Sequence, residues 1–184
     1  MEIYNYESIF HIDSDVLLYT NIVECVDFYS SYDFTLSKNS CVSNSYLTYD
    51  MVADFCEKLL KVYELKERYF WYNDIKKIYQ SMQNQKLNGG ICDMTFLEHY
   101  KKRKECNSLH ISGEMTSIIE GKTFDHHIRC EDDYEFEDNH KKIKFVTGIP
   151  FCYNIKLEKD IQFLTLHFQG AAKDYLHKYV THNL

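Results

Sequence analysis

Ile9-Phe10-His11-Ile12-Asp13-Ser14-Asp15-Val16-Leu17-Leu18 is an apolar, strand-forming run with two carboxylates in its middle. Successive strand side chains alternate faces, so Asp13 and Asp15 point the same way if extended geometry continues through them. Two like charges held that close cost free energy in a partly buried place unless something positive lies between them. A divalent cation meets that need, and an oxygen-rich donor set suits manganese or magnesium. The competing reading of an isolated Asp-Ser-Asp is a strand that ends in a polar turn.

The 184 residues are enough for one domain with its own core. No interior shift in composition marks a boundary, so residues 1–184 are expected as a single domain. Hydrophobic residues at 45% and charged residues at 27% exclude a disordered chain. A net charge of −7 argues against nucleic acid as a partner, because a phosphate backbone needs a basic face. No apolar run approaches the ~20 residues of a membrane-spanning helix. Met1-Glu2-Ile3-Tyr4-Asn5 lacks the basic lead and apolar core of a secretion signal. The seven cysteines (25, 41, 56, 92, 106, 130 and 152) form no Cys-x-x-Cys. Scattered, odd-numbered cysteines fit free thiols in a reducing compartment, which implies a cytoplasmic location.

Residues 27–45 read as short extended pieces and turns, with Asp33-Phe34-Thr35-Leu36 the best strand among them. Thr48 opens a helix on which Val52, Phe55, Cys56, Leu59, Leu60 and Tyr63 recur at helical spacing. A second helix is expected after Asn73, with Ile75, Ile78, Tyr79 and Met82 on one face. Both apolar stripes read as core. Asn88-Gly89-Gly90-Ile91-Cys92-Asp93 breaks the pattern. Gly-Gly lets a ligand approach the main chain closely, and Asp93 suits the cap of a helix ending in Lys101-Lys102-Arg103-Lys104. Asp125-His126-His127 and Glu131-Asp132-Asp133 read as an exposed acidic loop, since adjacent histidines rarely share an ion on a regular element. Lys144–Thr147 and Phe151–Tyr153 are strand material around Gly148-Ile149-Pro150.

The second informative stretch is Phe163-Leu164-Thr165-Leu166-His167-Phe168-Gln169-Gly170-Ala171-Ala172-Lys173. A strand delivers His167, and a short helix follows. Neutral imidazole is a good ligand for manganese beside carboxylates. Gly170 permits the backbone to close on a phosphate oxygen, the helix start offers unpaired N–H groups, and Lys173 supplies a mobile positive charge.

An Asp-x-Asp at the end of an apolar strand, with a late His-x-x-Gly-x-x-Lys after another strand, resembles the glycogenin-like and bacterial lipopolysaccharide galactosyltransferase group. The resemblance implies an α/β fold, a mixed β-sheet flanked by helices, equivalent to the C-terminal two-thirds of a nucleotide-diphospho-sugar transferase. It implies Mn2+ (or Mg2+) as cofactor, with Asp13, Asp15 and His167 as ligands and Gly170 and Lys173 at the donor diphosphate. Gly89, Gly90 and Asp93 fall where the family places the loop and carboxylate beside the donor sugar, which gives Asp93 a catalytic or sugar-binding part. The partners implied are a nucleotide-sugar donor, UDP-linked, and a saccharide acceptor hydroxyl, with retention of configuration. Asp174-Tyr175 stands where the family commonly has Pro-Trp. Only 12 residues precede Asp13, so the base-binding half of the family fold is expected to be missing or supplied differently.

Two other classes stay open. One is a non-catalytic carbohydrate-binding or assembly module derived from such an enzyme. The other is a metal-dependent phosphoesterase, which needs further ligands or a second metal within about 4 Å.

Overall fold

The run 9–18 folds as two strands, not one. Asp13, Ser14, Asp15 and Val16 make a β-turn in which Val16 N–H donates to Asp13 O at 3.2 Å. Asp and Ser favour such turns because their short side chains stabilise the local backbone. The turn separates β1 (Ser8–Ile12) from β2 (Val16–Leu18), and the two strands enter different sheets. The computed structural model describes residues 6–38, 41–86, 92–104, 106, 108–110 and 120–180. Among them the chain is mixed α/β, with sheets flanked by five helices.

Chain order continues with α1 (Val23–Tyr29), β3 (Phe34–Leu36), β4 (Asn44–Thr48), α2 (Tyr49–Leu65), α3 (Phe70–Asn84), α4 (Asp93–Lys104) and β5 (Ser108–His110). After these come β6 (Lys122–Phe124), β7 (Phe136–Glu137), β8 (His140–Lys141), β9 (Lys144–Val146), β10 (Ile149–Asn154), β11 (Lys159–His167) and α5 (Leu176–Val180). The first sheet runs β1-β4-β3-β5, antiparallel except for the parallel β3–β5 pair. The second is built on β11, which pairs antiparallel with β10 and β2 and parallel with β6. Strand β9 extends this sheet through β10, and β7 and β8 form a separate hairpin.

Helix α1 covers part of the stretch expected to be extended. Thr48 caps α2 as expected, its hydroxyl accepting from Met51 N–H. The buried stripe of α2 is Met51 and Val62 with Val52, Phe55 and Leu59 beside them, while Cys56, Leu60 and Tyr63 face outward. Helix α3 begins at Phe70, earlier than the expected start after Asn73, because Trp71 is an anchor of the core. Among the described residues, three clusters organise the interior. Phe34, Trp71 and Phe96 sit in the one between the first sheet and α2–α4. Ile161, Phe163 and Phe168 lie in the one under the second sheet. Tyr46 of the first sheet meets Phe124 and Leu164 of the second in the third, so the two sheets pack together. No helix among the described residues is long and apolar enough to cross a membrane. The seven cysteines are unpaired.

Candidate metal centre

Antiparallel pairing of β2 with β11 sets Val16 opposite His167, so Asp15 and His167 become neighbours. Phe168 N–H donates to Asp15 O at 2.9 Å and locks that approach. The turn then presents Asp13 to the same place. Asp15 Oδ1 lies 3.3 Å from His167 Nε2. One donor atom from each of Asp13, Asp15 and His167 lies within 4.8 Å of the other two. The structure therefore brings together the three residues expected from opposite ends of the chain, through a turn and not through an uninterrupted strand.

Their surroundings differ in depth. The side chain of His167 is 2% exposed and that of Asp15 12%, whereas that of Asp13 is 44% exposed. His167 Nδ1 hydrogen-bonds the main-chain carbonyl of His126. A carbonyl only accepts, so Nδ1 carries a proton and Nε2 is the ring nitrogen turned toward Asp15. Two electron-rich atoms facing at that distance need a positive charge between them, which a divalent cation or a proton on Nε2 provides. Two carboxylates and one imidazole nitrogen are a donor set that fits manganese or magnesium.

Lys173 Nζ sits 3.1 Å from Asp15 Oδ2, so the expected phosphate-binding cation already belongs to the cluster. It rides on a 3-10 turn, Gly170–Tyr175, and only Leu176–Val180 beyond it is α-helical. Gly170 takes φ +61, a left-handed conformation that favours glycine. Asp93 opens α4 with its carboxylate exposed, outside the three-donor cluster. It rims a pocket of about 170 Å3 with Val42, Phe55 and Met94. Gly89 and Gly90 lie outside the described residues.

Two neighbours escaped the sequence-based expectation. His11 donates Nδ1–H to Val42 O at 2.7 Å and sets Nε2 3.8 Å from Asp13 Oδ1. Its place two residues before Asp13 was a signal, since alternate strand residues share a face. The larger correction concerns residues 125–133. Asp125 is fully buried, not part of an exposed acidic loop, and its carboxylate accepts from Lys141 Nζ, also buried, at 3.0 Å. Burial pushes the His126 imidazole down to about 4, against the opposing pull of Asp125, and lowers His127 in the same way. Asp125 owes its depth to a lysine on a hairpin farther along the chain, and no local periodicity announces such a partner.

No protein-family model, curated protein or solved structure matches this chain.

Proposed function

We propose that the chain is a metal-assisted glycosyltransferase that moves a sugar from a nucleotide-diphosphate donor, UDP-linked, to a saccharide hydroxyl with retention of configuration. The observation that carries this reading is the convergence of Asp13, Asp15 and His167 from opposite ends of the chain, with Lys173 reaching the same carboxylate. Asp13 and Asp15 supply hard carboxylate oxygens, and His167 supplies Nε2. When bound, the cation contributes Lewis-acid stabilisation of the charge that develops on a leaving diphosphate. Lys173, on a flexible stem and more than half exposed, exchanges Asp15 for a phosphate oxygen and neutralises part of that charge. Gly170 turns the chain so that the segment carrying Lys173 folds back over the site. The exposed Asp93 carboxylate accepts a hydrogen bond from a donor-sugar hydroxyl. Seven unpaired cysteines suit residence in the cytoplasm.

Calorimetric titration of UDP with and without Mn2+ tests the reading. Wild type binds UDP only with the metal, and His167→Ala abolishes that binding. Unchanged Mn2+-dependent binding in His167→Ala removes His167 from the site. Slow, metal-dependent hydrolysis of a UDP-sugar without acceptor marks a transferase, whereas binding with no turnover marks a carbohydrate-binding or assembly module.

A further inference from the structure

Residues 125–128 engage every polar group of His167 except Nε2. Asp125 Oδ2 accepts the His167 main-chain N–H at 3.0 Å, and Ile128 N–H donates to His167 O at 2.9 Å. The His126 carbonyl takes the ring Nδ1–H. This segment is itself pinned from the other side by one residue, Lys141 of β8. Its Nζ donates to Asp125 Oδ1 at 3.0 Å, to His127 O at 2.7 Å and to Asp132 Oδ2 at 3.3 Å. Three acceptors saturate the three hydrogens of an ammonium. Lys141 N–H also donates to Ile128 O at 2.8 Å, and Asn44 Nδ2 of the first sheet holds Asp125 O at 3.1 Å. Asp132 passes on to Lys38, 2.6 Å away, so two carboxylates and two ammonium groups balance.

A buried ion pair is a poor source of net stability, because desolvation offsets most of the Coulomb attraction. What it provides, and an apolar cluster of the same volume does not, is direction. Each charge-assisted hydrogen bond fixes an angle as well as a distance. Here three hydrogen bonds, from Asp125, His126 and Ile128, end on His167. We propose that Asp125 and Lys141 are positioning residues that hold His167 with Nε2 turned toward Asp15 and the cation. The inference rests on the metal-centre reading of Asp13, Asp15 and His167. Neither residue touches the ion or the substrate. They set which ring nitrogen is protonated and where the ring points.

The test uses the full chain and Asp125→Asn, which preserves volume. An amide has one acceptor oxygen, so either Lys141 or the His167 N–H loses its partner. Side-chain 1H–15N NMR of the metal-free protein reads the His167 tautomer, and Mn2+ titration followed by EPR reads affinity. Wild type carries a proton on Nδ1, whether or not Nε2 is also protonated against Asp15. Folded Asp125→Asn shows a mixture of tautomers and binds Mn2+ about 10- to 100-fold more weakly, the cost of losing an outer-shell partner at a metal site. A folded Asp125→Asn with wild-type tautomer and wild-type Mn2+ affinity overturns the proposal. Where Asp125→Asn does not fold, the wild-type ring still tests the proposal: a ring protonated on Nε2 and not on Nδ1 overturns it. Wild type that takes up no Mn2+ overturns the metal-centre reading, and a tautomer shift in Asp125→Asn still upholds the positioning role.

Discussion

Among the described residues, two histidines donate Nδ1–H to a main-chain carbonyl and each face one carboxylate of the same turn. His11 pairs with Val42 O and Asp13, and His167 with His126 O and Asp15. The difference is burial. The His11 and Asp13 side chains are 42% and 44% exposed, whereas those of His167 and Asp15 are 2% and 12% exposed. In water the first contact is screened and contributes about 0–1 kcal/mol. The second lies where the effective dielectric is lower, and the fold supplies a buried carboxylate, a buried lysine and two main-chain carbonyls around it. Local geometry alone does not distinguish a site from a surface contact. The groups behind the ring do.

Removing the support is the severest way to break this comparison. Lys141→Met leaves Asp125 and Asp132 buried with only Lys38 to offset them, and is expected to cost about 3–5 kcal/mol of stability in denaturant unfolding. A loss under about 1 kcal/mol would show that the network carries little energetic weight.

A third histidine sharpens the point from the other side. His99 is buried against Trp71 with its Nε2 lacking a hydrogen-bond partner, and Asp74 stands 3.9 Å away, too far to bond. Burial therefore lowers its imidazole pKa, and Asp74 only partly opposes the shift. The native state holds the neutral ring, and the unfolded chain takes up a proton first. His99 thus contributes stability above its unfolded pKa of about 6.5, and that contribution shrinks as the pH falls toward the lower folded value. His99→Phe is expected to flatten the fall in unfolding free energy between about pH 7 and pH 5. Parallel pH profiles for wild type and variant would refute this.

The smallest effect is expected at the exposed pair. His11→Ala changes stability by less than about 1 kcal/mol and leaves Mn2+ affinity unaltered. A drop in affinity as large as that of Asp125→Asn would mean that His11 belongs to the site.

Local signals were legible in the sequence. Thr48 announced α2, and Asp13, Asp15 and His167 announced a cluster that the structure does assemble. The strand material on either side of Gly148 became β9 and β10, although Ile149 and Pro150, read as a break, belong to β10. Signals that depend on distant partners were not legible. Asp125 reads as a surface charge until Lys141 is folded against it, and nothing in the spacing of the two connects them. Trp71 sits before the helix start that Asn73 implied, and only the core it fills shows that the helix begins earlier. The division of residues 9–18 between two sheets was equally hidden, because a pause of three residues looks the same whether the strands on either side share a sheet or part company.

That division has a mechanical consequence. The turn at Asp13–Asp15 is a seam: one strand leaving it belongs to the first sheet, and the other is hydrogen-bonded to the strand that carries His167. Whatever grips both carboxylates and the imidazole acts as a rivet through two layers at once, and the whole fold feels its arrival or departure as a change in its own resistance to melting.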